Sequence, residues 1–322
     1  MLCHHLYGCP ISGVEPYTGI FSWLGFFGKI CVALFLFCSG YGLSAGYKSL
    51  SSFSDKILFV RNRFIKFYTN YWVILLFSLL YGIFVLERTF EAAYAGLNMP
   101  KRLLYEIFAI NGGCSYLRTW WFNQLIIVCY LLFPLLFKVI KHAPFSMLVI
   151  GILYLLYGDA YTFQIIEFNI WLFPFIIGIY WNLYEVRAAN LSNICLSHKI
   201  LFLFLSIVLL VSVAAFRSTL SYPDQIRIDA LLVISIVLCT ISIFRYSEGL
   251  MKGGAFLGKH SMNIFMIHSL FNVSLLHSCE WLRGGGNFLL LIILCTFISM
   301  AIECVKEQVG IYNLQKQLIL RT

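Results

Sequence analysis

Two uncharged apolar runs with a basic segment between them constrain this chain most. The first run, Ile30 to Tyr47, and the second, Phe67 to Leu86, contain no charged residue. Each is long enough to cross a bilayer as a helix, because about 20 residues at helical rise span about 30 Å of hydrocarbon. The charged residues of the intervening segment are Lys48, Lys56, Arg61, Arg63, Lys66 and one acid, Asp55. The three stretches predict a membrane hairpin with a basic connection.

The composition of the whole chain is that of a multi-pass membrane protein. Of its 322 residues, 61% are hydrophobic and 11% are charged, and the mean hydropathy is +0.86. A soluble domain carries about 25% charged residues, so an ordinary soluble protein is excluded. The net charge of +9 does not indicate nucleic-acid binding, because the basic residues lie in short segments between apolar runs. The 11 cysteines show no zinc-ligand spacing, so we expect no metal site.

The apolar runs predict an all-α fold, a polytopic bundle of about nine transmembrane helices. The predicted spans are residues 30–47, 67–86, 120–137, 143–157, 163–183, 200–216, 230–244, 254–276 and 287–302. Residues 1–17 are too short and too broken to span, and we expect them to be the end of one further helix followed by a loop. We expect a single membrane domain over residues 1–322.

The distribution of basic residues predicts the orientation of the bundle. If the basic connection after the first span is cytoplasmic, most of the 23 lysines and arginines fall on the cytoplasmic face. The C-terminus is then cytoplasmic, and residues 1–17 lie on the outer side. The sequence shows no internal repeat, which disfavours a transporter built from inverted repeats.

Two adjacent histidines, His4 and His5, are candidate general bases. Histidine titrates near neutral pH and can accept or donate a proton, and this pair would lie at the outer end of a helix. A polar helix end at the membrane interface is the simpler interpretation, and the residues alone favour it. Three outer-side acids could orient a histidine, and the spacing selects none of Glu15, Asp159 and Glu167.

A cationic helix face is expected where Arg63 and Lys66 lie three positions apart, with Arg61 beside them. Such a face can clamp a pyrophosphate, through bidentate arginine contacts and the point charge of lysine. The alternative is plain anchoring by the positive-inside rule, which the composition alone favours.

The segment Phe256 to His268 places a histidine within a predicted span. Ionisable groups at such positions are costly and usually face a cavity or a partner. His268 is therefore a candidate functional residue or, equally, a neutral imidazole bonded to a nearby backbone group. Ser261 and Asn263 would line the same helix.

Four blocks of the sequence resemble the acyltransferase family 3 membrane enzymes. Residues 32–43 are similar to the family's apolar helix that ends in a Ser-Gly turn, here Ser39 and Gly40, and residues 63–72 to its basic pair and aromatic helix start. Residues 121–134, beginning with Trp121, resemble its Trp-Phe span, and residues 257–268 its span ending in histidine. The resemblance implies a bundle of ten helices that O-acylates sugars of cell-surface glycans.

The resemblance also implies roles for individual residues. The family's essential histidine at the outer end of its first helix falls at His4 or His5, with His4 favoured. An arginine earlier in that helix would precede Met1, so most of the first helix is expected to be missing. The family's Arg-x-x-Arg matches Arg63 and Lys66, with lysine in the second place. Further candidates from the four blocks and the basic segment are Arg61, Ser39, Ser261, Trp121 and His268.

The expected activity is therefore transfer of an acyl group, acetyl being the commonest in the family, from cytoplasmic acyl-CoA to a hydroxyl of a surface glycan or its precursor. The expected partners are acyl-CoA, a glycan or polysaccharide and membrane lipid, with no nucleic acid and no metal. The expected location is a bacterial inner membrane, as a multi-pass protein.

Two alternatives belong to other classes of protein. One is a transporter or flippase for a lipid-linked sugar or a small metabolite, with His268, Pro174 and Gly178 marking its path. The other is a truncated, non-catalytic homologue, which the missing first helix would explain.

Overall fold

A computed structural model describes most of the chain. The described residues are 2–8, 17–94, 98–111, 114–157, 165, 168–184, 196–221, 224–244, 248–278 and 284–320. Their secondary structure is helical, and no strand element occurs within these ranges. The all-α, polytopic bundle class predicted from the sequence is confirmed.

The fold is built from helices of very different lengths. The α-helices are α1 (Gly19–Phe27), α2 (Cys31–Tyr47), α3 (Phe53–Phe84), α4 (Phe90–Tyr94), α5 (Met99–Ile107), α6 (Trp121–His142), α7 (Pro144–Tyr157), α8 (Phe168–Tyr184), α9 (Leu196–Ser218), α10 (Asp224–Phe244), α11 (Glu248–Ser278), α12 (Gly285–Gln308) and α13 (Ile311–Leu320). A π-helical turn covers His4–Gly8, and 3-10 turns cover Gly28–Ile30 and Arg118–Trp120.

Among the described residues, six helical segments are long and apolar enough to cross a membrane. They are Gly19–Tyr47, Phe53–Phe84, Arg118–His142, Ile200–Ser218, Asp224–Ile243 and Gly285–Gln308. The shorter apolar helices α7 and α8 and the long helix α11 occupy the other predicted spans. Within the described ranges, nine helical segments thus correspond one to one with the nine predicted spans.

Two boundaries differ most from the sequence-based prediction. The first span begins at Gly19 rather than Ile30, because α1 continues through a 3-10 turn into α2. The basic connection is also shorter than predicted, because α3 starts at Phe53 and carries most of the basic residues on its first turns. The Ser54 N–H donates to the Ser52 hydroxyl at 3.1 Å, and Asp55 lies in the first turn. A hydroxyl cap followed by an acid stabilises a helix start at this point.

The described helices pack as two compact units. The first comprises Met1–Lys29, Ile57–Ile127 and Phe256–Thr322, and the second Ile30–Lys56 and Val128–Ala255. The single domain expected over residues 1–322 stays a prediction.

Glycine allows the closest helix contact of the second unit, between α2 and α8. A Cβ atom on Gly40 would lie 2.2 Å from the Phe175 carbonyl oxygen, and one on Gly178 would lie 2.2 Å from the Phe37 carbonyl oxygen. Small residues let two helix backbones meet in this way where lipid supplies no hydrophobic drive for association. Gly178, which the transporter interpretation assigned to a path, is thus required for helix packing.

A buried carboxylate ties the polar segment after α3 into the first unit. Glu106 lies in α5 and is fully buried. Its Oε2 accepts hydrogen bonds from the Tyr94 hydroxyl at 3.2 Å, the Asn111 amide at 2.9 Å and the Tyr116 N–H at 2.8 Å. The Tyr71 hydroxyl of α3 donates to the Glu106 carbonyl oxygen at 2.6 Å. These bonds fix α5 against α3.

Candidate active site

The N-terminal turn His4–Gly8 packs directly on the backbone of α1. A Cβ atom on Gly25 would lie 2.4 Å from the Gly8 nitrogen, and one on Gly28 would lie 2.5 Å from the His4 nitrogen. A side chain at Gly25 of α1, or at Gly28 directly after α1, would push the turn away, so the two glycines set how near the histidines come to α1.

The side chain of Tyr7 anchors the same turn to the start of α12. Its hydroxyl donates to the Gly284 carbonyl oxygen at 2.8 Å, and its ring contacts Tyr17, Phe21 and Phe288. Gly284 has a φ of +93°, a conformation that residues with a side chain rarely adopt. The turn is thus held from two sides, which gives His4 and His5 a defined position.

A backbone carbonyl orients His4. The Nδ1 atom of His4 lies 3.0 Å from the Gly25 carbonyl oxygen, and a carbonyl oxygen can only accept a hydrogen bond. Nδ1 therefore carries the proton, and Nε2 is the basic nitrogen of the neutral ring. The acids expected to orient a histidine, Glu15, Asp159 and Glu167, lie outside the described residues.

The structure brings His268 of α11 to the histidine pair. The His5 ring centroid lies 5.1 Å from that of His4 and 5.0 Å from that of His268. His268 is fully buried, and its Nδ1 donates to the Phe265 carbonyl oxygen at 2.6 Å. Its Nε2 is buried and has no hydrogen-bond partner among the described residues. The three histidines form one cluster, which the sequence did not predict because His268 is distant along the chain.

The cluster lies beside a seam between α11 and the start of α6. The Trp120 indole donates to the Met266 carbonyl oxygen at 2.9 Å, and the hydroxyls of Thr119 and Ser269 lie 3.2 Å apart. The predicted candidate Trp121 is half-buried, whereas Trp120 is 1% exposed. The contact with α11 is thus made by the residue before the predicted one, because helical geometry turns adjacent side chains in different directions.

The two serine candidates, Ser39 and Ser261, lie on different helices, α2 and α11. Ser39 is half-buried in the middle of α2, in the second unit, so the expected Ser-Gly turn is instead part of a continuous helix. Its neighbour Gly40 is needed for packing on α8 rather than for a turn. The Ser261 hydroxyl donates to the Gly258 carbonyl oxygen of its own helix at 2.8 Å.

The predicted cationic face lies on the first turns of α3. Lys66 is exposed and Arg63 is half-buried, with the Arg63 guanidinium 4.9 Å from the centre of the Phe59 ring. Arg61 donates to the Leu318 carbonyl oxygen at 3.2 Å, near the C-terminus of α13. Cations near a helix C-terminus stabilise the helix. In the described residues, Arg61 makes such a contact with α13, whereas Arg63 and Lys66 do not.

A buried polar network between α11 and α12 was not predicted from the sequence. His260 Nδ1 lies 2.8 Å from the Ser299 hydroxyl, which also accepts a hydrogen bond from Asn263 at 3.0 Å. The Glu303 carboxylate accepts from Asn263 and from Lys306, each at 2.7 Å. A glutamate and a lysine three positions apart in an apolar helix were the available signal.

One comparison with known proteins gives a match. A family model described as an acyltransferase domain, that of acyltransferase family 3, matches residues 1–305 of the chain. No curated protein and no solved structure shows significant similarity.

Proposed function

Because the chain belongs to acyltransferase family 3 and is a multi-pass membrane acyltransferase, we propose that it O-acylates a glycan. The acyl group, acetyl in the simplest case, comes from cytoplasmic acyl-CoA. The acceptor is a hydroxyl of a cell-surface glycan or of its precursor. Family membership favours this function over a transporter or flippase.

The orientation of His4 is the observation that supports the proposal best. A sugar hydroxyl has a pKa far above neutral and needs a base in order to attack a thioester. With Nδ1 bonded to the Gly25 carbonyl, the neutral His4 ring has Nε2 as its basic nitrogen. His5, whose ring lies between His4 and the buried His268, is the second candidate for the same role.

In the proposed transfer, a single imidazole accepts the proton of the acceptor hydroxyl and later donates it to the leaving sulfur. Nε2 takes the proton of the acceptor hydroxyl while its oxygen forms a bond to the thioester carbonyl carbon. The bond from that carbon to sulfur then breaks, and the imidazolium proton passes to the departing CoA sulfur. The products are an ester on the glycan and free CoA, and the histidine is regenerated.

The donor phosphates are assigned to Arg63 and Lys66 in this proposal. Both are cations on the first turns of α3, and Lys66 is exposed. Arg61 supports them less directly, since one of its guanidinium nitrogens donates to Leu318 of α13. In the predicted orientation this end of α3 is cytoplasmic, where acyl-CoA is made.

Glycan acetylation in cells tests the proposal. The surface glycan should gain a mass increase that mild base removes, and His4→Ala should reduce it by about a hundredfold or more, the usual contribution of a general base. His142→Ala, at the exposed end of α6, is the matched control and should leave acetylation unchanged. Full acetylation in both His4→Ala and His5→Ala cells would refute the mechanism. No acetylation with the unaltered chain, present at normal level in the membrane, would favour the non-catalytic homologue.

A further inference from the structure

A second buried polar group on the α6–α11 seam has no hydrogen-bond partner among the described residues. Asn123 of α6 is 0% exposed, and neither its amide nitrogen nor its amide oxygen has a hydrogen-bond partner among the described residues. Buried amides are almost always hydrogen-bonded, because an unpaired one loses its hydration without compensation. The unpaired Nε2 of His268 belongs to the same seam. Two such groups on one seam offer hydrogen-bonding atoms to a polar ligand.

Three contacts fix how the two helices run past each other. Thr119 meets Ser269, Trp120 meets Met266, and the rings of Phe122 and Phe265 lie 5.1 Å apart. The start of α6 and the facing part of α11 therefore run antiparallel to each other.

The position of Asn123 on the seam follows from this antiparallel register. Asn123 follows Thr119 by four positions and Trp120 by three, so it shares their helix face. It lies about one helical turn, or about 5.4 Å, beyond the level of His268, toward the N-terminal end of α11.

We propose that Asn123 binds an amide of the pantetheine arm of the acyl-CoA donor; this inference rests on the proposed function. A secondary amide offers one N–H and one carbonyl oxygen, and the asparagine side chain offers the complementary acceptor and donor. In a trans secondary amide these two groups point in opposite directions, so Asn123 pairs with one of them on a given amide, and its other polar atom pairs with the second amide of the arm.

The spacing along the seam agrees with the structure of the donor. The pantetheine amide nearest the thioester is separated from it by the sulfur and two methylene groups, which matches about one helical turn. With the thioester beside the histidine cluster, that amide reaches the level of Asn123. The rest of the arm then continues toward the N-terminal end of α11, which the predicted orientation places on the cytoplasmic side.

Binding of two ligands to the purified full-length chain in lipid nanodiscs tests the proposal. One ligand is CoA, and the other is 3′-phosphoadenosine 5′-diphosphate, which has the phosphates but lacks the pantetheine arm. The unaltered protein should bind CoA more tightly. Asn123→Leu should weaken CoA binding about tenfold, the value of one to two hydrogen bonds, and leave nucleotide binding unchanged.

Two control variants separate this contact from other effects. Asn182→Leu replaces another buried asparagine whose amide oxygen is unpaired, on α8 of the second unit, and should change neither affinity. Lys66→Ala should weaken both ligands together, since it removes a phosphate contact. The melting temperature of Asn123→Leu should equal or exceed that of the unaltered protein, because a buried unpaired amide has been replaced by an apolar group of similar size.

The possible results distinguish failure of this proposal from failure of the proposed function. If the unaltered protein binds neither ligand, acyl-CoA is not the donor and both fail. If Asn123→Leu keeps the full preference for CoA, Asn123 does not contact the arm, while the donor assignment stands. If Asn123→Leu lowers the melting temperature and weakens both ligands equally, Asn123 has a structural role and the proposal is overturned.

Discussion

Two buried polar sites in the first unit differ in how completely they are hydrogen-bonded. Around Glu106, the carboxylate oxygen Oε2 accepts from Tyr94, Asn111 and Tyr116. On the α6–α11 seam, the amide of Asn123 and Nε2 of His268 have no partner among the described residues. Burying polar atoms is unfavourable at both sites. Within the described residues, hydrogen bonds offset this cost at Glu106 but not at Asn123 or at Nε2 of His268. We therefore expect Glu106 to contribute to stability, and, under the proposed function, the seam to contribute to ligand binding and chemistry.

The largest effect is expected from removing the Glu106 carboxylate. Glu106→Leu leaves the donors of Tyr94, Asn111 and Tyr116 unpaired in the interior, which should cost about 3 to 5 kcal/mol of stability. Thermal unfolding of the detergent-solubilised protein measures the loss. Glu91→Leu, at an exposed position of the same polar segment, is the matched control and should have little effect. An unchanged melting temperature for Glu106→Leu would show that the hydrogen bonds to this carboxylate do not stabilise the fold.

The seam should show the opposite behaviour in His268→Leu. The substitution removes a buried nitrogen that has no partner among the described residues, and it also removes the Nδ1 hydrogen bond to the Phe265 carbonyl oxygen, so the two effects on stability should nearly cancel. Turnover should fall by about tenfold to a hundredfold, because the His268 ring lies 5.0 Å from that of His5 in the proposed catalytic cluster. Acetylation per folded molecule separates the two quantities. A destabilised His268→Leu protein with normal turnover per folded molecule would make His268 structural, and the seam would then resemble the Glu106 site.

The positions of the helices could be predicted from the sequence, because hydrophobicity is a local property. The apolar runs located the nine helical segments, and the pattern of Ser52, Ser54 and Asp55 contained the signal for the earlier start of α3. The role of Gly40 could not be predicted in this way. A Ser-Gly pair is typical of a turn, whereas Gly40 is needed because the α8 backbone packs against it.

The site could be predicted only in part, for a physical reason. Each histidine was a candidate by itself, because intramembrane ionisable residues are rare and costly. Their meeting depends on the packing of α11 beside the N-terminal turn, which no local pattern encodes. Asn123 was not a candidate from the sequence, because an asparagine indicates a binding site only when it is known to be buried and to have no hydrogen-bond partner among the described residues.

The smallest expected effect is a change in the pH dependence of stability. It tests whether the Glu106 carboxyl group stabilises the fold. Burial raises the pKa of Glu106 above its ordinary value of 4.5, although the hydrogen bonds from Asn111, Tyr116 and Tyr94 oppose that rise. Between 4.5 and the raised pKa, the folded state therefore holds a proton that the unfolded state has lost. The contribution of this group to stability is present below that window and is lost as pH rises through it.

Glu106→Gln removes this titration while keeping an oxygen that can accept the same hydrogen bonds. The melting temperature of the unaltered protein should fall more steeply as pH rises above 4.5 than that of Glu106→Gln. Melting curves of both proteins across this range measure the difference in slope, and Glu91→Gln controls for a change at an exposed acid. Parallel curves would mean that Glu106 has the same affinity for protons in the folded and unfolded chains. A steeper fall for Glu106→Gln would mean that the hydrogen bonds outweigh burial and hold the carboxylate ionised.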